Sequence, residues 1–333
     1  MTIYEKNQWG KMGTRADSIY PYFTDGEFYR TQPVYPGAKE FVRRLSQMTE
    51  VYICTAVPPQ FMGIRAQRIL EEFPEIPQDH IYMGFRKDKI HTDILFDDAL
   101  HNILNSGAKY PILMRRPWNQ EATGMLAVNN YDEFLKLVEV IGESYSVRTD
   151  EETVVTPNIA VLVGPSGSGK NKVACDLLRQ CPQMEKLVSY TTDASVAEQP
   201  NRNYHYVSAD DFRRLHDSGA FFETTTYAHH AYGSRKEDVE AILNQGKHVL
   251  TVMDICGAMA LKTLFPNVIT VYIQRDKKEL ITNILNDDAP TEDKANRLLF
   301  IEAESRNAQI CDYTVQYDTP EQAAEQILQS LRV

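Results

Sequence analysis

Cysteine is scarce in this chain, with five residues in 333, and no two of them form a C-x-x-C pair. An odd number at wide spacing (Cys54, Cys175, Cys181, Cys256, Cys311) excludes a disulfide framework. With no histidine cluster at zinc spacing beside them, no structural metal is expected. Positive charge is also in deficit: 35 Lys and Arg stand against 46 Asp and Glu, a formal charge of -11. Such a chain is repelled by nucleic acid and by anionic membrane surfaces, so neither is expected as a partner. Nowhere do eighteen uncharged apolar residues follow one another, which excludes a membrane span of ordinary length. The opening MTIYEKNQWGK is polar and lacks the apolar core of a signal peptide. A soluble, cytoplasmic protein with reduced thiols is the expectation.

What is present suffices for two cores. The length is about twice that of a common domain, and 43% of the residues are hydrophobic. The polar stretch SYSVRTDEETVVTPN marks the best linker, giving an expected division into 1–145, a linker at 146–157, and 158–333. Before it, VYICT, ILF and YPILM alternate with FVRRLSQM and FMGIRAQRILEEF, whose apolar residues recur at three and four. After it, IAVLV, VLTVM and VITVYI alternate with KVACDLLRQ and EDVEAILNQG. Strands alternating with helices predict two α/β domains, each a parallel sheet flanked by helices.

Directly after IAVLV stands Gly164-Pro-Ser166-Gly167-Ser168-Gly169-Lys170, and a helical pattern follows. A glycine-rich loop between a strand and a helix aims several backbone N–H groups and the helix N-terminus at one point, and Lys170 adds a charge. This is a phosphate site. The next residue of the motif is ordinarily Ser or Thr, whose hydroxyl ligates magnesium, and here it is Asn171. Phosphate binding is expected to survive that change better than metal-assisted phosphoryl transfer.

From this loop onward the chain resembles guanylate kinase. The residues that carry the likeness are GPSGSGK, SYTT from Ser189, NYHYVSADDF, FFETTTYAHHAYGS and MDICGA. The resemblance implies that Ser189, Glu223 and Ser234 read a guanine base and that Tyr204 and Tyr232 reach the acceptor phosphate. It places Asp254 beside the acceptor. It also implies ATP and Mg2+, with Lys170 and Arg297 as the catalytic cations if the site is active. Glu223 suits its role chemically, since a carboxylate can accept from both the N1–H and the amine of guanine. Two arginines that clamp the acceptor phosphate in the family fall at Asp193 and Val196, and the lid reads ITNILNDDAP, with Asn283 and Asp287 at arginine positions. An anion beside a phosphate opposes binding. His229 and His230 are expected in a loop.

The first part resembles the 5'(3')-deoxyribonucleotidases of the haloacid dehalogenase superfamily, through YPGAKEFVRRLSQMTEVYICTA, FRKDKIHTDILFDDALHNI and NNYDEFLKLV. The resemblance assigns Thr55 and Lys89 to a phosphate and the pair Asp97 and Asp98 to Mg2+. The D-x-D nucleophile of that family is absent from the sequence. Either the first strand is lost, with a homo-oligomer or another chain expected to donate a strand, or Met1 is internal to a longer reading frame. The expected function is a guanine-nucleotide-binding protein with weak or no catalysis. An active GMP or dGMP kinase fused to a nucleotidase-like domain is the alternative.

Overall fold

The computed structural model describes residues 24–146, 157–196, 204–227 and 230–331. Most of the expected linker, and the polar opening with its expected missing strand, lie outside the described residues. The chain separates into two compact units. One comprises Met1–Ala122 with Ala127–Glu143, the other Thr123–Leu126 with Ser144–Val333.

In the first unit, strands β1 (Ile53–Thr55) and β2 (Ile81–Met83) pair in parallel. Strands β3 (Ile94–Asp97), β4 (Tyr110–Met114) and β5 (Ala127–Val128) form a second parallel ladder. The sequence reading predicts one sheet; among the described residues β1 and β3 share no ladder. Every residue of β4 is buried, whereas those of β1 and most of β3 are half-buried. Phe96 at the end of β3 stacks on Phe134 at 3.9 Å, and Phe41 stacks on Tyr131 at 4.3 Å. Those rings join the ladder to helices Ala38–Leu45 and Tyr131–Ser146.

The second unit is built on a five-stranded parallel sheet. It contains β6 (Ile159–Val163), β7 (Met184–Lys186), β12 (His248–Val252), β13 (Val268–Gln274) and β14 (Tyr313–Gln316), in the order β14-β13-β6-β12-β7. The all-apolar IAVLV is the central strand, and all five of its residues are buried, as a sheet covered on both faces demands. Ala160, Leu162, Leu250, Val271 and Ile273 point to one face. There they meet Val173, Ala174 and Leu177 of helix Lys170–Gln180 and Ala323, Ala324 and Ile327 of helix Pro320–Leu331. From β6 the chain runs to one side of the sheet and later crosses to the other, so the switch point lies at the C-terminal end of β6. Ligands of open α/β sheets bind at such a point.

A second sheet in this unit has mixed pairing, which the repeating strand–helix pattern does not reveal. Its strands β8 (Ser189–Thr191), β9 (Tyr204–Tyr206), β10 (Phe221–Tyr227) and β11 (His230–Arg235) lie in the order β10-β11-β8-β9. Only β8 and β9 run parallel. His230, expected in a loop, opens strand β11, and His229 lies outside the described residues.

Candidate functional site

The glycine loop has the geometry that its sequence predicts. Gly164 takes φ +150° where a Cβ would stand 2.7 Å from the Ile273 carbonyl, so only glycine fits against β13. Gly169 takes φ +86° at the start of helix Lys170–Gln180, against the Tyr317 hydroxyl. Tyr317 Oη donates to the Ser168 carbonyl at 2.8 Å, and Asn283 Nδ2 donates to the Gly167 carbonyl at 2.8 Å. The buried Ser168 Oγ has no hydrogen-bond partner among the described residues, an orphan that an entering phosphate oxygen would satisfy. Lys170 Nζ folds back to the Gly164 and Pro165 carbonyls at 2.6 and 2.9 Å. Burial pulls its pKa down to about 8, partly offset by the neighbouring Glu304. The loop therefore fits a phosphate chain. Asn171 is exposed in the first turn of the helix.

The mixed sheet sets the other candidates side by side through its register. Tyr204 pairs with Ser189, and Glu223 with Ser234. Tyr190 pairs with Gly233, which puts Ser189 opposite Ser234. A single row thus crosses all four strands. Ser189 Oγ and Ser234 Oγ lie 2.9 Å apart, and Ser234 Oγ donates to Glu223 Oε1 at 2.9 Å. The rings of Tyr204 and Tyr232 meet edge to face at 5.4 Å. Glu223 also lies over the first turn of helix Ile255–Lys262, with its Cγ 3.5 Å from where a Gly257 Cβ would be. Asp254 caps that helix, accepting the Gly257 N–H at 2.8 Å. Burial, and then the Asp254 carboxylate, push Glu223 up to about 7, while the Ser234 hydrogen bond opposes the rise. Such a carboxyl can take either charge state near neutrality.

The cationic half is arranged differently. Arg297 Nη1 is paired with Asp287 Oδ2 at 2.6 Å. Asp193 receives the Ser195 N–H at 2.9 Å, and hydrogen bonds from Ser195 hold its pKa below the usual carboxylate range, so an anion persists beyond the end of β8. A carboxylate that is not among the sequence candidates sits on the loop itself: Glu304 Oε2 accepts the Ser166 N–H at 3.1 Å. Arg297 and Glu304 are seven residues apart and lie on one face of helix Thr291–Arg306.

In the first unit Thr55 ends β1 and Asp97 ends β3. The lysine that reaches this end is Lys87, whose Nζ lies 2.6 Å from Asp97 Oδ2. Lys89, the sequence candidate, is turned outward with 70% of its side chain exposed. The short 3-10 turn Lys87–Lys89 accounts for the difference, since residues two apart on such a turn point in different directions. Asp97 also accepts from Asn102 Nδ2 at 3.0 Å and from the Ala99 N–H at 2.8 Å. With an ammonium and an amide already on Oδ2, it does not fit a magnesium ligand in this arrangement. Burial, followed by repulsion from Asp97, raises the pKa of Asp98. Among the described residues no group of three His, Cys, Asp or Glu side chains is placed to hold a metal ion.

A central parallel sheet with a glycine loop at the end of its middle strand, joined to a small mixed sheet, defines the second unit as a P-loop α/β domain of guanylate kinase type. The guanylate kinase family profile matches residues 156–332, and the profile described as "5' nucleotidase, deoxy (Pyrimidine), cytosolic type C protein" matches residues 2–144. The chain belongs to the guanylate kinase family through its C-terminal part, with a nucleotidase-like domain of the haloacid dehalogenase type before it. The guanylate kinase of Chlamydia trachomatis serovar D is 34% identical over 166 residues, spanning 49% of this chain and 80% of that protein. That of Colwellia psychrerythraea is 30% identical over 178 residues, spanning 51% and 82%. Among solved structures, guanylate kinase from Anaplasma phagocytophilum aligns at 26% identity over 53% of this chain and 84% of its own, with a TM-score of 0.41. Among the described residues no helix is long and apolar enough to cross a membrane.

Proposed function

We propose that residues 158–333 bind a guanine nucleotide with little or no phosphoryl transfer, and that residues 1–145 are a nucleotidase-like domain without efficient phosphatase chemistry. The observation that carries the proposal is the contrast within one site. Glu223, Ser234 and Ser189 form a continuous hydrogen-bonded row suited to the edge of guanine, and the surviving Arg297 is bound to Asp287. Ionised Glu223 offers two acceptors to the N1–H and amine of guanine, and the Tyr204–Tyr232 pair lies on the same sheet for the acceptor phosphate. The loop amides, Lys170 and the orphan Ser168 hydroxyl would hold the phosphates of ATP or of a guanine nucleotide.

Mg2+, when bound, would supply charge neutralisation between the phosphates; the amide of Asn171 stands where the usual hydroxyl ligand is lost. Phosphoryl transfer depends chiefly on positioned positive charge, and one stabilising arginine can be worth ~10³-fold. Asp193 and Val196 at two clamp positions, with Asn283 and Asp287 in the lid, remove several such contributions together.

All five cysteines are free thiols, which suits a cytoplasmic protein. A second copy or another chain adding a strand beside β1 or β3 belongs to the same proposal, because each of those strands pairs on one side only among the described residues. Isothermal titration calorimetry tests the central reading. GMP or GDP is expected to bind and AMP is not; binding of neither guanine nucleotide refutes it.

A further inference from the structure

The acceptor on the Ser166 amide of the phosphate loop is a protein carboxylate. Glu304 reaches the loop from a helix 138 residues further along the chain and takes the Ser166 N–H at 3.1 Å. Its charge faces Lys170 in the loop, Arg297 on its own helix, Asp254 at the start of helix Ile255–Lys262, and the Tyr272 phenol of β13. Among the described residues Lys170 has only backbone carbonyls within hydrogen-bonding distance, so Glu304 supplies the opposing charge for a recessed ammonium. A site built to receive an anion thus contains one of the protein's own.

We propose that Glu304 is a built-in competitor of the nucleotide's phosphates. It satisfies Ser166 and balances Lys170 while the loop is empty, and it must withdraw or lose its charge before a phosphate chain is held. The inference rests on the reading of this loop as a nucleotide site. Two negative groups held around one lysine and one set of amides repel strongly in a recessed, low-dielectric setting. The empty loop is stabilised at the expense of the occupied one.

A carboxylate that merely stiffened the loop would need only to accept a hydrogen bond, which a neutral amide also does. Glu304→Gln therefore separates the two roles: it keeps an acceptor for the Ser166 N–H and removes the charge. Titration calorimetry of the full-length chain with ATP at pH 7, below the range in which Lys170 gives up its proton, is expected to show binding at least tenfold tighter in the variant. The affinity advantage should shrink toward one as pH falls, because burial raises the pKa of Glu304 and protonation neutralises the unaltered protein's carboxylate. Taking the ratio of the two proteins cancels the ionisation of ATP itself. Glu304→Ala, which removes charge and acceptor together, should gain less, and it serves as the second variant should the glutamine form fail to fold.

Equal or weaker ATP binding in the variants, with binding by the unaltered chain, overturns the inference and leaves the nucleotide reading standing. Absence of binding in all the proteins overturns both.

Discussion

Glu223→Gln should stabilise the second unit at pH 8 while weakening the proposed recognition of guanine. Burial and the Asp254 carboxylate move the Glu223 pKa from 4.5 to about 7. At ~1.4 kcal/mol for each pK unit, the folded state carries a penalty of at most ~3 kcal/mol when this carboxyl is ionised. The sign follows from proton binding. Between pH 4.5 and 7 the folded form holds the proton and the unfolded form does not, so Glu223 favours folding at low pH and that contribution is lost as pH rises through 7. Glutamine has the same shape, can accept from Ser234 Oγ, and has no charge to bury. The variant is expected to gain up to ~3 kcal/mol at pH 8 and to match the unaltered protein near pH 4. For a unit of this size that corresponds to roughly 6–12 °C in Tm. Residues 144–333 contain no tryptophan, so calorimetric scans rather than fluorescence should follow this transition. The same substitution replaces one of two acceptors by a donor facing the donors of guanine, and GMP affinity should fall more than tenfold. A variant less stable than its parent at pH 8, or a stability difference unchanged between pH 5 and 8, would refute the reasoning.

Two further outcomes follow from the geometry. Lys87→Ala leaves Asp97, whose side chain is only 5% exposed, without its cation, and should destabilise the first unit by ~2–4 kcal/mol. Lys89→Ala, at a largely exposed side chain, should change stability by less than ~0.5 kcal/mol; urea denaturation followed by tryptophan fluorescence compares the two. Because Lys170 loses its proton near pH 8 in the free protein, ATP affinity should fall as pH rises through about 8. Lys170→Arg, charged throughout that range, should flatten the profile in the same titration.

The parts legible in the sequence were those fixed by local pattern. IAVLV followed by GPSGSGK allows little except a buried strand, a glycine loop and a helix, and the loop glycines take positive φ where side chains would collide with Ile273 and Tyr317. The row Tyr204, Ser189, Ser234, Glu223 was recovered only as separate residues, because it depends on a cross-strand register that no single segment encodes. Lys87 and Lys89 flank one aspartate and are equivalent in composition; a 3-10 turn decides which of them meets Asp97. Glu304 was missed for a related reason. Its partner Ser166 lies far away in the chain, and only the packing of helix Thr291–Arg306 near the loop brings the two together. The antiparallel pairing of β10 and β11 escaped notice because the segment between Phe221 and Arg235 carries no glycine-rich turn signal to announce a hairpin.

On the proposed reading, a guanine-reading site persists without an effective phosphoryl-transfer site. A coupled kinase assay of the full chain with ATP, Mg2+ and GMP tests it most directly. The prediction is turnover at least a hundredfold below the ~10 s⁻¹ common among enzymes. Turnover near that value would contradict the claim and establish the active kinase in its place.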